Sequence, residues 1–597
     1  MTFIDNNKAV FIGAGVLLGL LAASWLASVL LYALLGLDPD MARPWSVWYF
    51  VGDPIFNGRA LLSLAVTHAL LIGATVSFFI RKEPEFGDAR WATRQDLYKA
   101  GLFEKEGLLL GKYKGKYLVS DSPTHVMVIA PTRSGKGVGL VVPNLLNWKD
   151  SLICLDIKQE NFKKTAGFRK SYGHDVFMWS PLDSNGRSHR YNPLDAVSKD
   201  PHQRISDLQV IARILIQDPV KSDPVWASEA RALFIGLALY VMDSPDMPTT
   251  IGAINRLLGT EQDLGDVCRH IVKNHTELSP TLNKTLMNFA NKAAKERSGV
   301  KSSLNQAINL WDNPVIDAAT SASDFSIANL RKKRTAIYVG VLTGQISTLA
   351  PLLRIFFEQV MTTLSLKEPD ESEPHKILLM MDEFHMLGEM PSMTSAFTLL
   401  GGYNCRVMAV VQGLKWLDDV YGRDKRDGIL SCCAHQIFFA ANDLETASYV
   451  SQSCGEKTVK TVSTSQKKSF KYEPPSTNTS YRARLLISKE KVKQLPNHEE
   501  IIITESSFPV RARKIEYFSD KGFMQRLLPP PEVPVLKIVS TAIPTFDIQK
   551  PKKPDDPSSQ GSLFPATPPQ TPPRLGEWLN DDDSDDKDAE EDNGGRA

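Results

Sequence analysis

The stretch VMVIAPTRSGKGVGLVVPNLL, Val126 to Leu146, restricts the possible folds more than any other part of the chain. An apolar run, a turn containing Gly and Lys, and a second apolar segment follow in the order strand, loop, helix. In such a loop, successive backbone N–H groups around Ser134, Gly135 and Lys136 wrap a phosphate, and Lys136 adds a charge for the β- and γ-phosphates. Gly135 supplies the positive φ and the close approach that the turn needs. The general spacing G-x-x-x-x-G-K-[ST] is nonetheless broken at both ends: Ala130 replaces the first Gly, and Gly137 stands where a Ser or Thr would hold magnesium. The predicted nucleotide-binding set is Thr132, Arg133, Ser134, Gly135, Lys136, Gly137 and Val138.

Because Gly137 has no side chain to offer, Mg2+ at this loop has to rely on water, the phosphates and an acid from elsewhere. The segment KILLMMDEF provides one, ending a strand with Asp382 followed by Glu383. Asp382 is expected to hold the metal through water, and Glu383 to orient and deprotonate the attacking water. Two solvated acids at a strand end are the plain alternative. Together with the loop, the pair points to ATP hydrolysis. A further strand, CRVMAVVQG, ends in Gln412, where ring ATPases of this build place a sensor of the γ-phosphate. Arg406 on that strand is a candidate for stabilising transition-state charge, in its own site or a neighbouring subunit's. Arg133 competes for that role, and a merely structural Arg406 is the simpler alternative. In CLDIKQEN, Asp156 and Lys158 either tune the site or form an ion pair.

Beyond residue 120, continuous apolar runs at 125–130, 151–157, 175–180, 335–341, 376–382, 405–411, 435–441 and 500–504 read as strands of a parallel sheet covered on both faces. An α/β domain of this kind binds its ligand at the carboxyl ends of its strands. Between 196 and 330 the periodicity turns helical, which predicts an all-α domain inserted into the α/β core. At the amino end, Ala9–Leu37 holds no charged residue, and Ala60–Ile80 holds only His68 as an ionisable group. Both runs are long enough to cross a bilayer as helices. Arg81, Lys82, Arg90, Arg94 and Lys99 follow the second run, against Arg43 and Arg59 between the two. That bias places the body of the chain in the cytoplasm, below an inner-membrane anchor with both ends inside.

Of the 37 prolines, 13 fall between 529 and 573, and an acidic run closes the chain. Such a segment is expected to be disordered, because it has too little apolar surface to bury. The expected organisation is a membrane anchor over 1–82, a nucleotide-binding domain over 83–195 plus 331–528, an all-α domain over 196–330 and a tail over 529–597. From Glu577 onward there are 10 acidic and 2 basic residues. The net charge of +1 therefore hides a body of about +9, which hints at an anionic partner. The six cysteines form no CxxC pair and read as reduced residues.

These pieces together resemble the type IV secretion coupling proteins, the TraG-like ATPases of conjugation machines. The resemblance rests on the two amino-terminal spans, GDARWA (87–92), APTRSGKGVG (130–139), LDIKQEN (155–161), YNPL (191–194), the Trp226-to-Tyr240 helix, MDEF (381–384) and VVQGL (410–414). In that family a Gly after the loop Lys is the usual form, so the broken motif is a family variant. Gln159 departs from it, standing where the family often has Gly. The resemblance implies a RecA-like P-loop domain with Lys136 on the phosphates, Asp382 and Glu383 in the metal and hydrolysis roles, and Gln412 as sensor. It further implies a homo-hexameric ring at the membrane that hands a relaxase-bound DNA strand, or protein substrates, to a secretion channel. Two other readings compete: a DNA pump of the FtsK type, and a nucleotide-binding receptor that sorts substrates without moving them. For nonspecific DNA contact the basic segments are 284–301, 331–334 (RKKR) and 457–471.

Overall fold

The computed structural model describes residues 8–79, 86–218, 224–274, 279–465, 476–539 and 542–548. The chain divides after Pro544, and of the part beyond it only 545–548 are described. The acidic end of the expected tail therefore lies outside the described residues. Its beginning does not behave as expected. Leu536 is buried against Ala318 and Ala319, and Ser188 and Leu536 exchange backbone hydrogen bonds with Pro534 and Gly186. A Pro-rich strand offers carbonyls and one apolar side chain without needing a partner for every N–H. That suffices to lay 529–536 along the body.

The body is built on one sheet of eleven strands. In chain order these are β1 (Leu108–Tyr113), β2 (Lys116–Ser120), β3 (Val126–Ile129), β4 (Ser151–Ile157), β5 (Asp175–Trp179), β6 (Thr335–Val341), β7 (Ile377–Met381), β8 (Cys405–Val411), β9 (His435–Phe438), β12 (Glu499–Thr504) and β13 (Val510–Arg513). A separate ribbon pairs β10 (Glu456–Ser465) with β11 (Ser476–Leu485). The sheet order is β2-β1-β13-β12-β9-β3-β8-β7-β4-β6-β5. From β9 to β5 every pairing is parallel. The residues of β3, β4, β6, β7 and β8 are all buried, as strands covered on both faces must be.

The expectation of a purely parallel sheet is corrected at one edge. Strand β12, the run at 500–504, pairs antiparallel with β9, and β13, β1 and β2 continue antiparallel outward. Apolarity along β12 reports burial, which both pairings provide, so it cannot reveal direction.

Strands β5 and β6 are parallel neighbours, and a parallel pair needs a crossover. Here the crossover is the helical segment. Three of its helices begin with a capping side chain followed by Pro: Asp200-Pro201, Ser279-Pro280 and Asn313-Pro314. The cap oxygen accepts a free N–H of the first turn, and Pro has none to offer there. The segment joins the sheet through a buried aromatic cluster, with Tyr191 stacked on Phe325 at 5.5 Å and both touching Phe356.

At the amino end, helices Lys8–Leu34 and Asn57–Phe79 pack through Ala27, Leu31 and Ala60, while Leu20, Leu21, Leu62 and Leu70 face outward. Among the described residues, only Val225–Asp243 is both long and apolar enough to cross a membrane. It is a core helix of the insertion, with Leu233, Phe234 and Leu237 fully enclosed. The described apolar stretches near the amino end, Gly19–Leu34 and Asn57–Ile72, are shorter.

The amino ends of the strands carry buried neutral rings. Burial lowers His125, His174 and His435 to about 4. His125 Nδ1 accepts the Val407 N–H at 3.0 Å, and His435 Nε2 lies 2.8 Å from Ser120 Oγ. Each folded value is below the unfolded one of about 6.5. The stability these rings contribute is therefore complete above that pH and is lost as pH falls towards 4. The expected result is a melting temperature that is flat from pH 8 to 7 and falls between 6.5 and 5, with proton uptake on unfolding. A midpoint unchanged across that window would contradict the assignment.

Candidate nucleotide site

Strand β8 lies between β3 and β7, so three carboxyl ends meet at one place. The loop after β3 carries Lys136, β7 runs directly into Asp382 and Glu383, and β8 into Gln412. Lys136 Nζ contacts Glu383 Oε1 and lies 3.2 Å from Asp382 Oδ1. Gln412 Nε2 donates to the other carboxylate oxygen, Glu383 Oε2, at 3.0 Å. A residue pair 247 positions apart in sequence is thus joined by sheet topology alone.

The loop and the β7 and β4 ends line a pocket of about 300 Å³. Arg133, Gly135, Lys136, Gly137 and Val138 face it, with Asp382 and Glu383 across from them. Thr132 faces an adjoining pocket with Gln412 and Trp416. Ser134 turns its hydroxyl onto the Pro131 carbonyl at 2.6 Å. Gly135 has φ 89°, the left-handed turn expected of it. Around the pocket four non-glycine residues also adopt positive φ: Arg133, Lys158, Gln159 and Glu383. Each costs of order 1–3 kcal/mol, and such clusters persist where the surroundings enforce them, as functional sites do.

Burial raises the Asp382 carboxyl above its ordinary value, and Glu383 adds to this while Lys136 opposes it. Its buried Oδ1 is held by the Lys136 ammonium at 3.2 Å. Burial also keeps His385 neutral, 3.8 Å from Glu383 Oε2 and tilted against Trp416. Asp156 is pushed up to about 7 by burial. It accepts the N–H groups of Asn161 at 3.1 Å and Phe162 at 2.7 Å, and so starts the helix Glu160–Ser171. Of the two alternatives for Asp156 and Lys158, an ion pair between them is not what forms.

Arg406 is not brought to this group. It lies at the amino end of β8, one strand length from Gln412, 2% exposed, and it donates to the carbonyls of Ser120 and Asp121. A guanidinium enclosed by its own chain cannot reach a neighbour's phosphate, so its role is structural. Of the basic run at 331–334, Arg331 is used by the fold, buried and donating to the carbonyls of Leu364 and Tyr403, while Lys332 and Lys333 stay exposed. Two residues absent from the sequence reading do belong to the site. His385 follows Glu383 closely and was visible in MDEFH. Lys514, which donates to the Ser134 carbonyl at 2.9 Å, comes from beyond β13, where nothing in sequence points to the loop.

Residues 86–537 match the family model described as type IV secretory system conjugative DNA transfer. The chain belongs to the type IV secretion coupling proteins. It is 33% identical over 492 residues to protein VirD4 of Rhizobium radiobacter, covering 79% of this chain and 70% of that one. To the conjugal transfer protein TraG of Escherichia coli it is 27% identical over 473 residues, covering 70% and 73%. Among solved structures, the plasmid coupling protein TrwB in complex with ADP and Mg2+ superposes with a TM-score of 0.54 at 17% identity, over 73% of this chain and 95% of that one. Conjugative DNA transfer is therefore the process this coupling protein serves, and the FtsK-type reading is set aside.

Proposed function

We propose that this coupling protein hydrolyses ATP with Mg2+ at the Lys136, Asp382 and Glu383 cluster, and uses the reaction to deliver relaxase-bound DNA, protein substrates or both to the secretion channel. The observation that carries this reading is the contact of Lys136 with both carboxylates, with Gln412 holding the second oxygen of Glu383. As the terminal phosphates enter, Lys136 exchanges a carboxylate for phosphate oxygens, aided by the N–H groups of the loop. Glu383 is then released to accept a proton from water as its oxygen attacks the γ-phosphorus and the bond to the β-phosphate oxygen breaks. Gln412 keeps the carboxylate aimed and reports the γ-phosphate. Asp382, whose Oδ1 is released when Lys136 turns to the phosphates, would hold Mg2+ through water, and the ion would supply charge neutralisation at the phosphates.

The same proposal places helices Lys8–Leu34 and Asn57–Phe79 as two spans in the inner membrane and the body below them as a homo-hexamer. It treats the helices between β5 and β6 as a substrate-facing domain. DNA contact is nonspecific and is assigned to the β10–β11 ribbon. There Lys457 stands directly opposite Arg484, and Lys457, Lys460, Arg482 and Arg484 are all exposed with no ion pair among the described residues. Like charges facing each other across a ribbon favour an anion between or beside them. The test is ATP turnover by the full chain in lipid nanodiscs, with and without single- or double-stranded DNA. Stimulation that disappears with salt and in a variant lacking these four cations supports the reading. Turnover indifferent to DNA would remove the DNA-motor part, and tight binding without turnover would leave a receptor.

A further inference from the structure

The phosphate loop is also held from behind, by a part of the sheet that no nucleotide-binding motif includes. Lys514 follows β13, and its Nζ donates to the Ser134 carbonyl at 2.9 Å while lying 3.6 Å from the centre of the Phe439 ring. Its backbone N–H is fixed by the His498 carbonyl at 2.9 Å. Behind it, Glu500 on β12 is fully buried, and neither carboxylate oxygen has a hydrogen-bond partner. The space for that carboxylate exists because residue 111 is Gly: a Cβ there would stand 2.0 Å from Glu500 Oε1. Strands β1, β12 and β13 thus enclose a buried acid close to Lys514 in the sheet: Glu500 pairs with Ala512, two residues before it. Burial raises Glu500 to about 8 and lowers Lys514 to about 8, while each partner's charge opposes the other's shift.

We infer that Lys514 is a positioning residue for nucleotide binding. The reason is the planarity of one peptide. In a trans peptide the carbonyl of one residue and the N–H of the next point in opposite directions. Holding the Ser134 oxygen from outside therefore aims the Gly135 N–H towards the opposite side, where the phosphate pocket lies. Gly135, at φ 89°, has little intrinsic preference for this orientation, and the bond from Lys514 selects it. Phe439 shields the ammonium from water on one side.

This inference rests on the phosphate-site reading above, and the experiment separates the two. Full-length wild type, Lys514→Met and Lys514→Arg are compared for ADP affinity, ATP turnover at saturation and melting temperature without nucleotide. Lys514→Met is expected to weaken ADP binding about tenfold, because a loop no longer held in its binding conformation has to be ordered as the ligand arrives. Turnover at saturating ATP should stay within about threefold, since the reacting groups are untouched. Lys514→Arg, which can still donate to the Ser134 oxygen, is expected to recover most of the affinity. If Lys514→Met binds ADP as wild type does, the inference is overturned. It is equally overturned if Met and Arg lose affinity alike in step with a lower melting temperature, because the role is then structural. Wild type that binds no ADP would instead remove the phosphate site itself, and this inference with it.

Discussion

Replacing Lys136 with alanine is expected to lower ATP turnover by at least a hundredfold, and to weaken nucleotide binding as well. Two losses combine. The first is the charge-assisted contact with the phosphates, which is worth roughly 1.5–3 kcal/mol in binding. The second is stabilisation of charge that develops on the transferring phosphoryl group, where removal of a single donor costs about 10²–10³ in rate. The substitution also leaves Asp382 and Glu383 adjacent without their cation. Two carboxylates sharing a site do not both ionise readily, so one is driven towards its protonated form. The variant should therefore show a turnover optimum moved to higher pH along with the fall in rate. The check is a rate-against-pH profile for both proteins beside a nucleotide titration. Unchanged affinity and rate would mean that phosphates bind elsewhere.

Glu383→Gln should separate binding from chemistry. Gln keeps the shape and one carbonyl oxygen but cannot accept a proton from water, and general-base loss costs about 10²–10⁴ in rate. Lys136 simultaneously loses one of its two carboxylate contacts, so nucleotide affinity should be retained or improved. That contrast with Lys136→Ala, which loses both properties, is the signature of two residues in one site with different roles.

Much of this site was legible in the sequence because local pattern and local geometry coincide there. The loop, its strand and Gly135 are contiguous, and MDEF and VVQG mark the ends of buried strands, where a parallel sheet gathers its functional side chains. What could not be read was pairing. Strand β12 is as apolar as its parallel neighbours and turns out antiparallel, because burial alone sets its composition. β1 and β2 are not among the strands expected from sequence, since Gly and Lys interrupt their apolar residues around Lys114-Gly115, and only the finished sheet shows them as its outer hairpin. Arg406 illustrates the same limit in the other direction. A strand with a functional carboxyl end invites every charged residue on it into the site, yet β8 is long enough to leave Arg406, its second residue, at the opposite end of the strand. Lys514 was hidden for the complementary reason, since its distance from Ser134 along the chain is closed only by β13. The start of the tail was misjudged because proline content signals a lack of regular structure, which differs from a lack of contact.

The measurement that bears most directly on the account is the fate of bound ATP in a single turnover, with full-length protein in excess over radiolabelled ATP and Mg2+, quenched at intervals and followed for wild type and Glu383→Gln. The expected result is ADP accumulating on wild type while Glu383→Gln holds intact ATP over the same period. Conversion to ADP at the same rate in both proteins would contradict the assignment of Glu383, and with it the claim that this cluster of loop lysine and paired carboxylates is where the coupling protein does its chemistry.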